Sequence, residues 1–317
     1  MKLVIMIPAY NEEKTIAAVI EEIPRKVDGI NSMEVLVIDD GSTDGTIEQA
    51  MKAGIDRVVS HKVNQGLGNA FRDGLNAALE MGADIIVNID ADGQYNAKEI
   101  PKLIKPILET KADIVLGWRD IYNLDFMPMG KKVGNKLSTW VTKRLSGLPI
   151  KDAQTGFRAF SKEAALRLNP SANFTYVHET IIQASCKNLR IEQIPVEFKS
   201  REGKSRLISG LASYAFRGGI TLLRTYRDYK TSKAYLSISG LLFVVGLVFT
   251  IIVLVQLFAI RMMIPYLFFA VVALGLLVFG LQAMLFGFYV SMYKSQRQKI
   301  EEILYLLKKN DTRGKNR

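Results

Sequence analysis

Short apolar runs punctuate the N-terminal half of the chain: Leu3 to Ile7, Glu34 to Ile38, Val58 with Val59, Ala83 to Ile89 and Asp113 to Gly117. Between them, apolar residues recur at three- and four-residue spacing, as in Ile16, Val19, Ile20 and Ile23. The runs predict buried strands and the spaced stretches predict helices. A second helix begins at about Ile47, and a third carries Ala70, Leu75, Ala78 and Leu79 behind the glycine loop Asn64 to Gly68. A helix around Glu179 to Cys186 and a strand from Ile191 to Phe198 follow further on. This repetition predicts an α/β fold, a Rossmann-like doubly wound, mostly parallel sheet covered on both faces. In such sheets ligands bind beyond the carboxyl ends of the strands.

The pattern then changes. Ala234 to Ile260 and Met262 to Tyr293 contain no Lys, Arg, Asp or Glu, and each exceeds the roughly 20 residues needed to cross a bilayer core of about 30 Å. Two membrane spans are expected, about 234–260 and 265–290, joined through Arg261 and Pro265 as a hairpin. Before them, Leu207, Leu211, Tyr214, Gly218 and Leu222 share one helical face while Arg206, Arg217, Arg224 and Arg227 fall opposite, as in a helix lying on a membrane surface. The expected parts are a soluble domain over 1–205, an amphipathic segment over 206–233, the hairpin over 234–293 and a basic tail over 294–317, polar and disordered from Asn310.

The formal charge of +11 changes the picture less than its placement. Arg217, Arg224, Arg227, Lys230 and Lys233 precede the first span, Lys294, Arg297, Lys299, Lys308 and Lys309 follow the second, and Arg261 alone lies between. The positive-inside bias places both flanks on the cytoplasmic face of the cell membrane. Attraction to anionic lipid accounts for the charge without nucleic acid. A single cysteine, Cys186, excludes an internal disulfide and agrees with a reducing compartment. The first apolar run is short and stops at Pro8, so no signal peptide is expected.

Candidate chemistry gathers at the predicted strand ends. Asp90-Ala91-Asp92-Gly93-Gln94 follows the fourth strand, and a spacing of two puts both carboxylates on one side. Such a pair, with the Gln94 carbonyl, suits a hard cation, Mg²⁺ or Mn²⁺, that keeps positions open for substrate phosphates. Asp-x-Asp-Gly is also ordinary turn chemistry. The first strand ends in Pro8-Ala9-Tyr10-Asn11-Glu12 and the second in Asp39-Asp40-Gly41-Ser42. Asn11 and Glu12 could instead cap a helix, and Asp39 to Asp44 could be a tight acidic turn. The segment Asp152-Ala153-Gln154-Thr155-Gly156-Phe157-Arg158 completes the set.

In order and spacing these motifs resemble the inverting family-two glycosyltransferases of the GT-A fold, and most closely the polyprenyl-phosphate branch that includes dolichyl-phosphate mannose and glucose synthases. The resemblance covers residues 1 to about 233, and the hairpin extends it. It implies that Pro8, Ala9, Tyr10 and Glu12 line a nucleoside pocket, with Asp40 on the base and Asp39 beside it. It implies that Asp92 and Gln94 hold the metal, that Asp90 touches the donor sugar or the metal shell, and that Asp152, Gln154 and Glu179 lie near donor-sugar hydroxyls. Asp152 could equally cap the turn into Gly156, and Glu179 could be a solvated helix-start carboxylate.

The acceptor implied is a lipid phosphate, which needs cations. Arg119, Arg158, Lys131, Lys132, Asn135, Arg201, Lys204 and Ser205 are the expected contacts, Arg158 also being expected to be catalytic with Asp90, Asp92 and Asp152; lysine near 131 and asparagine at 135 depart from arginine and serine in relatives. A phosphate is already ionised near neutral pH and needs no general base, so His61 and His178 are read as structural. Trp118 and Trp140 are read as packing or interface residues and lie in no Gln-x-x-Arg-Trp motif, which argues against a polysaccharide synthase. The expectation is transfer of a hexose from a nucleotide sugar to dolichyl or polyprenyl phosphate, with the hairpin also offering faces for a homo-oligomer. The other readings are a family-two glycosyltransferase acting on another membrane-associated glycan acceptor and a non-catalytic, nucleotide-sugar-binding membrane adaptor.

Overall fold

A computed structural model of the protein describes residues 1–173, 175–200, 219, 232–255 and 263–314. The amphipathic segment and the candidate residues Arg201, Lys204 and Ser205 lie outside the described residues. Met1–Thr225 with Ile303–Arg317 forms one compact unit, and Tyr226–Glu302 forms a second.

The first unit is built on seven strands: β1 (Lys2–Ala9), β2 (Ser32–Asp39), β3 (Arg57–Ser60), β4 (Ile85–Asn88), β5 (Ile114–Trp118), β6 (Arg158–Ser161) and β7 (Ile191–Pro195). They line up as β3-β2-β1-β4-β6-β5-β7. All pairings are parallel except those of β6, which runs antiparallel between β4 and β5. The expected mostly parallel sheet is thus present, in the manner of a GT-A domain. Its helices are α1 (Ile16–Glu21), α2 (Thr46–Lys52), α3 (Leu67–Glu80), α4 (Ile100–Leu108), α5 (Met129–Ser146), α6 (Lys162–Arg167) and α7 (Val177–Cys186).

Side chains alternate across the strands, so each strand feeds two cores. Val4, Met6, Leu36 and Ile38 pack with Phe71 and Leu75 of α3 and with α6 and α7, while Leu3, Ile5, Ile7, Val35 and Val37 pack with α1, α2 and α4. Burial on both faces explains the near-continuous apolar runs. The last expected strand is shorter than predicted, because β7 ends at Pro195 and Phe198 makes only an isolated bridge to Tyr95, in the loop beyond β4.

The second unit holds α8 (Ser232–Val255) and most of α9 (Met263–Gly314). In α9, Ala270–Thr312 holds a stretch long and apolar enough to cross a membrane; the described apolar stretch of α8, Ser239–Val255, is shorter. The two helices meet closely where glycine removes a side chain: a Cβ on Gly246 would lie 3.1 Å from Leu277 N, and one on Gly280 would lie 3.1 Å from Phe243 N. The expected disorder from Asn310 is corrected, since α9 stays helical through Gly314. Its last turns belong to the first unit, where Tyr305 joins the α3/α6/α7 core and Lys308 Nζ donates to Asn169 Oδ1 at 2.8 Å.

Candidate active site

The parallel strands deliver their motif loops to one edge, and hydrogen bonds then lock the loops together. Asp40 N donates to Ala9 O across the ends of β1 and β2 at 2.9 Å. Asn11 takes a left-handed φ of 54°. Its N donates to Ser42 Oγ (2.9 Å) and its Oδ1 accepts from Thr43 N (2.7 Å), while Glu12 N donates to Thr46 Oγ1 (2.8 Å). Asp39 Oδ1 accepts from Ser42 N at 3.1 Å and shapes the turn, so Asp39 acts on the loop rather than lining the cleft.

The cleft, about 130 Å³, is lined by Pro8, Ala9, Tyr10, Glu12 and Asp40 together with Asp90, Ala91 and Asp92. Asn64, Gly66, Leu67 and Ala70 complete it. Asp40 holds this second wall: its carboxylate accepts from Gln65 N (2.8 Å) and Gly66 N (2.9 Å) and meets His61 Nδ1 at 2.8 Å. The other nitrogen of His61 lies 3.2 Å from Asp73 Oδ2, which gives the histidine its expected structural place. Gly66 sits at φ +94°, and a Cβ there would lie 2.5 Å from Asn173 O. Glu179, almost fully buried, accepts from Ser171 N, Ser171 Oγ, Ala172 N and Gln183 Nε2 at 2.9 to 3.1 Å. Neither a solvated helix-start carboxylate nor a sugar contact fits that environment; Glu179 fixes the 171–173 loop on which Gly66 rests.

Asp90 and Asp92 leave β4 at the same edge. Asp92 Oδ1 accepts from Gln94 N at 3.2 Å, and Gln94 is braced against Lys199 through its carbonyl (2.8 Å) and its Nε2 (3.2 Å). Asp90 lies directly over Gly156, where a Cβ would stand 2.7 Å from Oδ1 and nearer still to Oδ2. Gly156 is itself fixed, its N donating to Tyr95 Oη at 3.0 Å and its O accepting from Asn88 Nδ2 at 2.7 Å. Burial pushes the Tyr95 phenol up to about 12, so it stays a neutral acceptor and donor. Among the described residues no group of three or more His, Cys, Asp or Glu forms a complete metal cage. Two carboxylates in a cleft suit a hard cation that takes its other ligands from phosphate and water.

The remaining expected residues are brought together differently from the sequence reading. Arg119 and Asp152, assigned there to opposite substrates, hold each other: Nε to Oδ2 is 2.7 Å and Nη2 to Oδ1 is 3.1 Å. Burial works to raise the Asp152 pKa, but the Arg119 charge and hydrogen bonds outweigh it and hold the carboxyl below its ordinary value. Asp152 Oδ1 also accepts from Gln154 N at 3.0 Å, so it caps the turn as well. Asn135 of α5 bridges the group, its Nδ2 3.2 Å from Gln154 Oε1 and 3.4 Å from Asp152 Oδ1. Lys131 and Lys132 stand in the first turn of α5, where Lys132 Nζ donates to Tyr122 O at 3.0 Å.

Arg158 is corrected as a phosphate contact. Antiparallel β6 starts at the active edge, which brings Arg158 there, but the side chain is fully buried. Its donors go to Thr155 O (2.8 Å), Val177 O (2.9 Å), Thr180 Oγ1 (2.8 Å) and Ala153 O (3.0 Å). It ties the 153–155 turn to the start of α7. His178 is likewise internal, between Thr142 Oγ1 (3.0 Å) and Ser138 Oγ (3.1 Å), and burial followed by repulsion from Arg158 lowers its pKa to about 4.

Asn64, Gly66, Leu67 and Ala70 were absent from the sequence-based site, although a glycine loop opening a helix is a signal for phosphate or nucleotide approach. Tyr95, Asn88 and His61 carried no such signal, because their roles depend on partners distant in the chain.

The sheet, with this cleft at its carboxyl edge, agrees with a glycosyltransferase of the GT-A fold. The chain belongs to glycosyl transferase family 2, whose model matches residues 4–168. It is similar to the UDP-N-acetylglucosamine–dolichyl-phosphate N-acetylglucosaminyltransferase of Methanococcus voltae, at 34% identity over 61% of this chain and 84% of the relative. Its likeness to glycosyltransferase AglJ of Haloferax volcanii, 29% identical, runs over 94% of this chain and 97% of that one. Among solved structures it resembles glucosyl-3-phosphoglycerate synthase from Mycobacterium tuberculosis in complex with Mn²⁺, UDP and glucosyl-3-phosphoglycerate: 26% identity, TM-score 0.57, covering 71% of this chain and 79% of that chain.

Proposed function

We propose that the protein transfers a hexose from a nucleotide sugar to dolichyl or another polyprenyl phosphate, inverting the anomeric centre, at the cytoplasmic face of a membrane. The observation that carries this reading is the single cleft lined by Pro8, Ala9, Tyr10, Glu12, Asp40, Asp90 and Asp92. The nucleoside would lie along the Pro8–Glu12 and Asp40 loops, which leaves the diphosphate at Asp90 and Asp92. These carboxylates, with Gln94, would hold a divalent cation; Gln94 Nε2 is taken by Lys199 O, so the amide oxygen is the end it would present. When bound, such an ion neutralises the diphosphate as it leaves. The solved neighbour with Mn²⁺ and UDP supports use of a metal.

On the acceptor side, Lys131 and Lys132, with Arg201, Lys204 and Ser205, would counter the charge of the incoming phosphate. The Arg119–Asp152 pair would position the Asn135–Gln154 group beside the anomeric carbon. A lipid acceptor is supported by the dolichyl-phosphate relative and by the second unit, where Leu241, Phe243, Leu285 and Phe286 turn outward, as in helices apolar on every side. We read α8 and α9 as the two spans of a hairpin. The domain limits 1–205, 206–233, 234–293 and 294–317 are part of this proposal.

Reconstituted protein, supplied with polyprenyl phosphate and a panel of GDP- and UDP-sugars, should yield a glycolipid of defined mass, and Asp92→Ala or a chelator should abolish it. Turnover that survives both treatments sinks the metal assignment. Absence of a lipid product with every donor sinks the acceptor.

A further inference from the structure

Helix α5 is built inside out. Its buried positions are polar, namely Asn135, Thr139, Thr142 and Ser146, and its outward positions Met129, Val133, Leu137 and Trp140 are large and apolar, 73%, 58%, 61% and 61% exposed. Both series advance by three and four residues, so they form two stripes on roughly opposite faces of one helix. The polar stripe is committed to the protein: Asn135 reaches Gln154, Thr139 Oγ1 accepts from Ala153 N at 3.1 Å, and Thr142 meets His178. Tyr122 and Phe126, just before the helix, are exposed as well; elsewhere among described residues 1–200, only Met1, Met51 and Val63 are exposed large apolar residues.

We propose that the outward stripe of α5 docks on an anionic bilayer surface, a second membrane contact besides the hairpin. The charge around the stripe selects this occupant. α5 carries Lys131, Lys132, Lys136, Lys143 and Arg144 and no acidic residue, although Asp120 and Asp125 lie in the preceding loop. Lys136 and Lys143, seven residues apart, flank the stripe, and Lys136 Nζ lies 5.7 Å from the Tyr122 ring. Lysine beside tryptophan and tyrosine is the composition of an interfacial helix. Protein interfaces are depleted in lysine. Docking in this way would leave about one helix diameter, roughly 10 Å, between the bilayer surface and the Asn135–Gln154–Asp152 group.

The proposal rests on the membrane reading above, and its test separates the two. Leu137→Cys in a Cys186→Ser background carries an environment-sensitive fluorophore, with Met51→Cys on α2 as the comparison site. The full chain is reconstituted in phosphatidylcholine vesicles containing a minority of phosphatidylglycerol, with or without nitroxide-labelled lipid. The label at 137 should shift to the blue and lose most of its emission to lipid-borne nitroxide, while the label at 51 should do neither. Lys136→Glu with Lys143→Glu should reduce that quenching severalfold. A chain that floats with the vesicles while the 137 label stays in water overturns α5 docking alone, and one that does not float overturns the anchoring too. A 137 label shielded from water yet unreached by lipid nitroxide assigns the stripe to a second copy or to residues 206–233, and also overturns the proposal.

Discussion

Gly156→Ala tests how the site holds Asp90. The added methyl would lie 2.7 Å from Asp90 Oδ1 and closer to Oδ2, whereas ordinary contacts of this kind begin near ~3.5 Å. The glycine backbone has little room to give, because Tyr95, Asn88 and Tyr176 hold its N and O. The carboxylate therefore yields, by about 1 Å. Misplacement on that scale costs roughly 100-fold in rate, or about 3 kcal/mol of barrier. The overpacking itself should cost about 1–3 kcal/mol of stability, a melting shift of several degrees. Steady-state glycosyl transfer and thermal melting should be measured on the same preparation, with Gly134→Ala as a control. Nothing lies within 4 Å of a Cβ on Gly134, so that variant should keep its turnover and gain up to about 1 kcal/mol from helix propensity. A Gly156→Ala enzyme that melts lower but turns over at the wild-type rate would refute a role for the Asp90 position.

Other perturbations read different parts of the site. His178 is neutral in the fold with its pKa near 4 against an ordinary 6.5; the unfolded chain binds the proton more readily, so stability should fall as pH drops from about 6.5 to 4, by up to about 3 kcal/mol. His178→Gln should flatten that limb of a pH-dependent denaturation series, and an unchanged slope would remove the histidine from it. Asp152 has the opposite origin but the same direction: its depressed pKa contributes stability that is full above about pH 4 and is lost as pH falls through the lower native value. Asp152→Ala should cost about 3–5 kcal/mol, because it leaves Arg119 buried and unpaired; a melting curve within a degree of wild type would contradict this.

The sheet was legible because strands buried on both faces read as unbroken apolar runs, and β1, β2 and β4 carried their motifs at the ends. Strand β6 was not, since four residues between a turn and a helix offer no periodicity and Arg158 at its head reads as a surface cation. Helix α4 was hidden by Pro101 and Pro106, although its proline at the start is compatible with a helix. Within the site, residues that act through their own loop, such as Pro8 to Glu12, could be read from sequence. Residues that act through each other could not: the Arg119–Asp152 pair spans 33 positions and the contact between Asp90 and Gly156 spans 66, and neither has a local signature.

Tyr305 brings the end of the chain back to the core of the first unit. The segment that sends the polypeptide into α8 and α9 is an excursion, after which the last turns of α9 return a buried aromatic ring to the core that α3 and α6 began. In chain order the apolar helices are thus an insertion within the catalytic unit and not an appendage at its end. A chain stopped before Tyr226 would lack this piece of its own core, whereas one made by splicing out 226–302 and rejoining the ends would retain it.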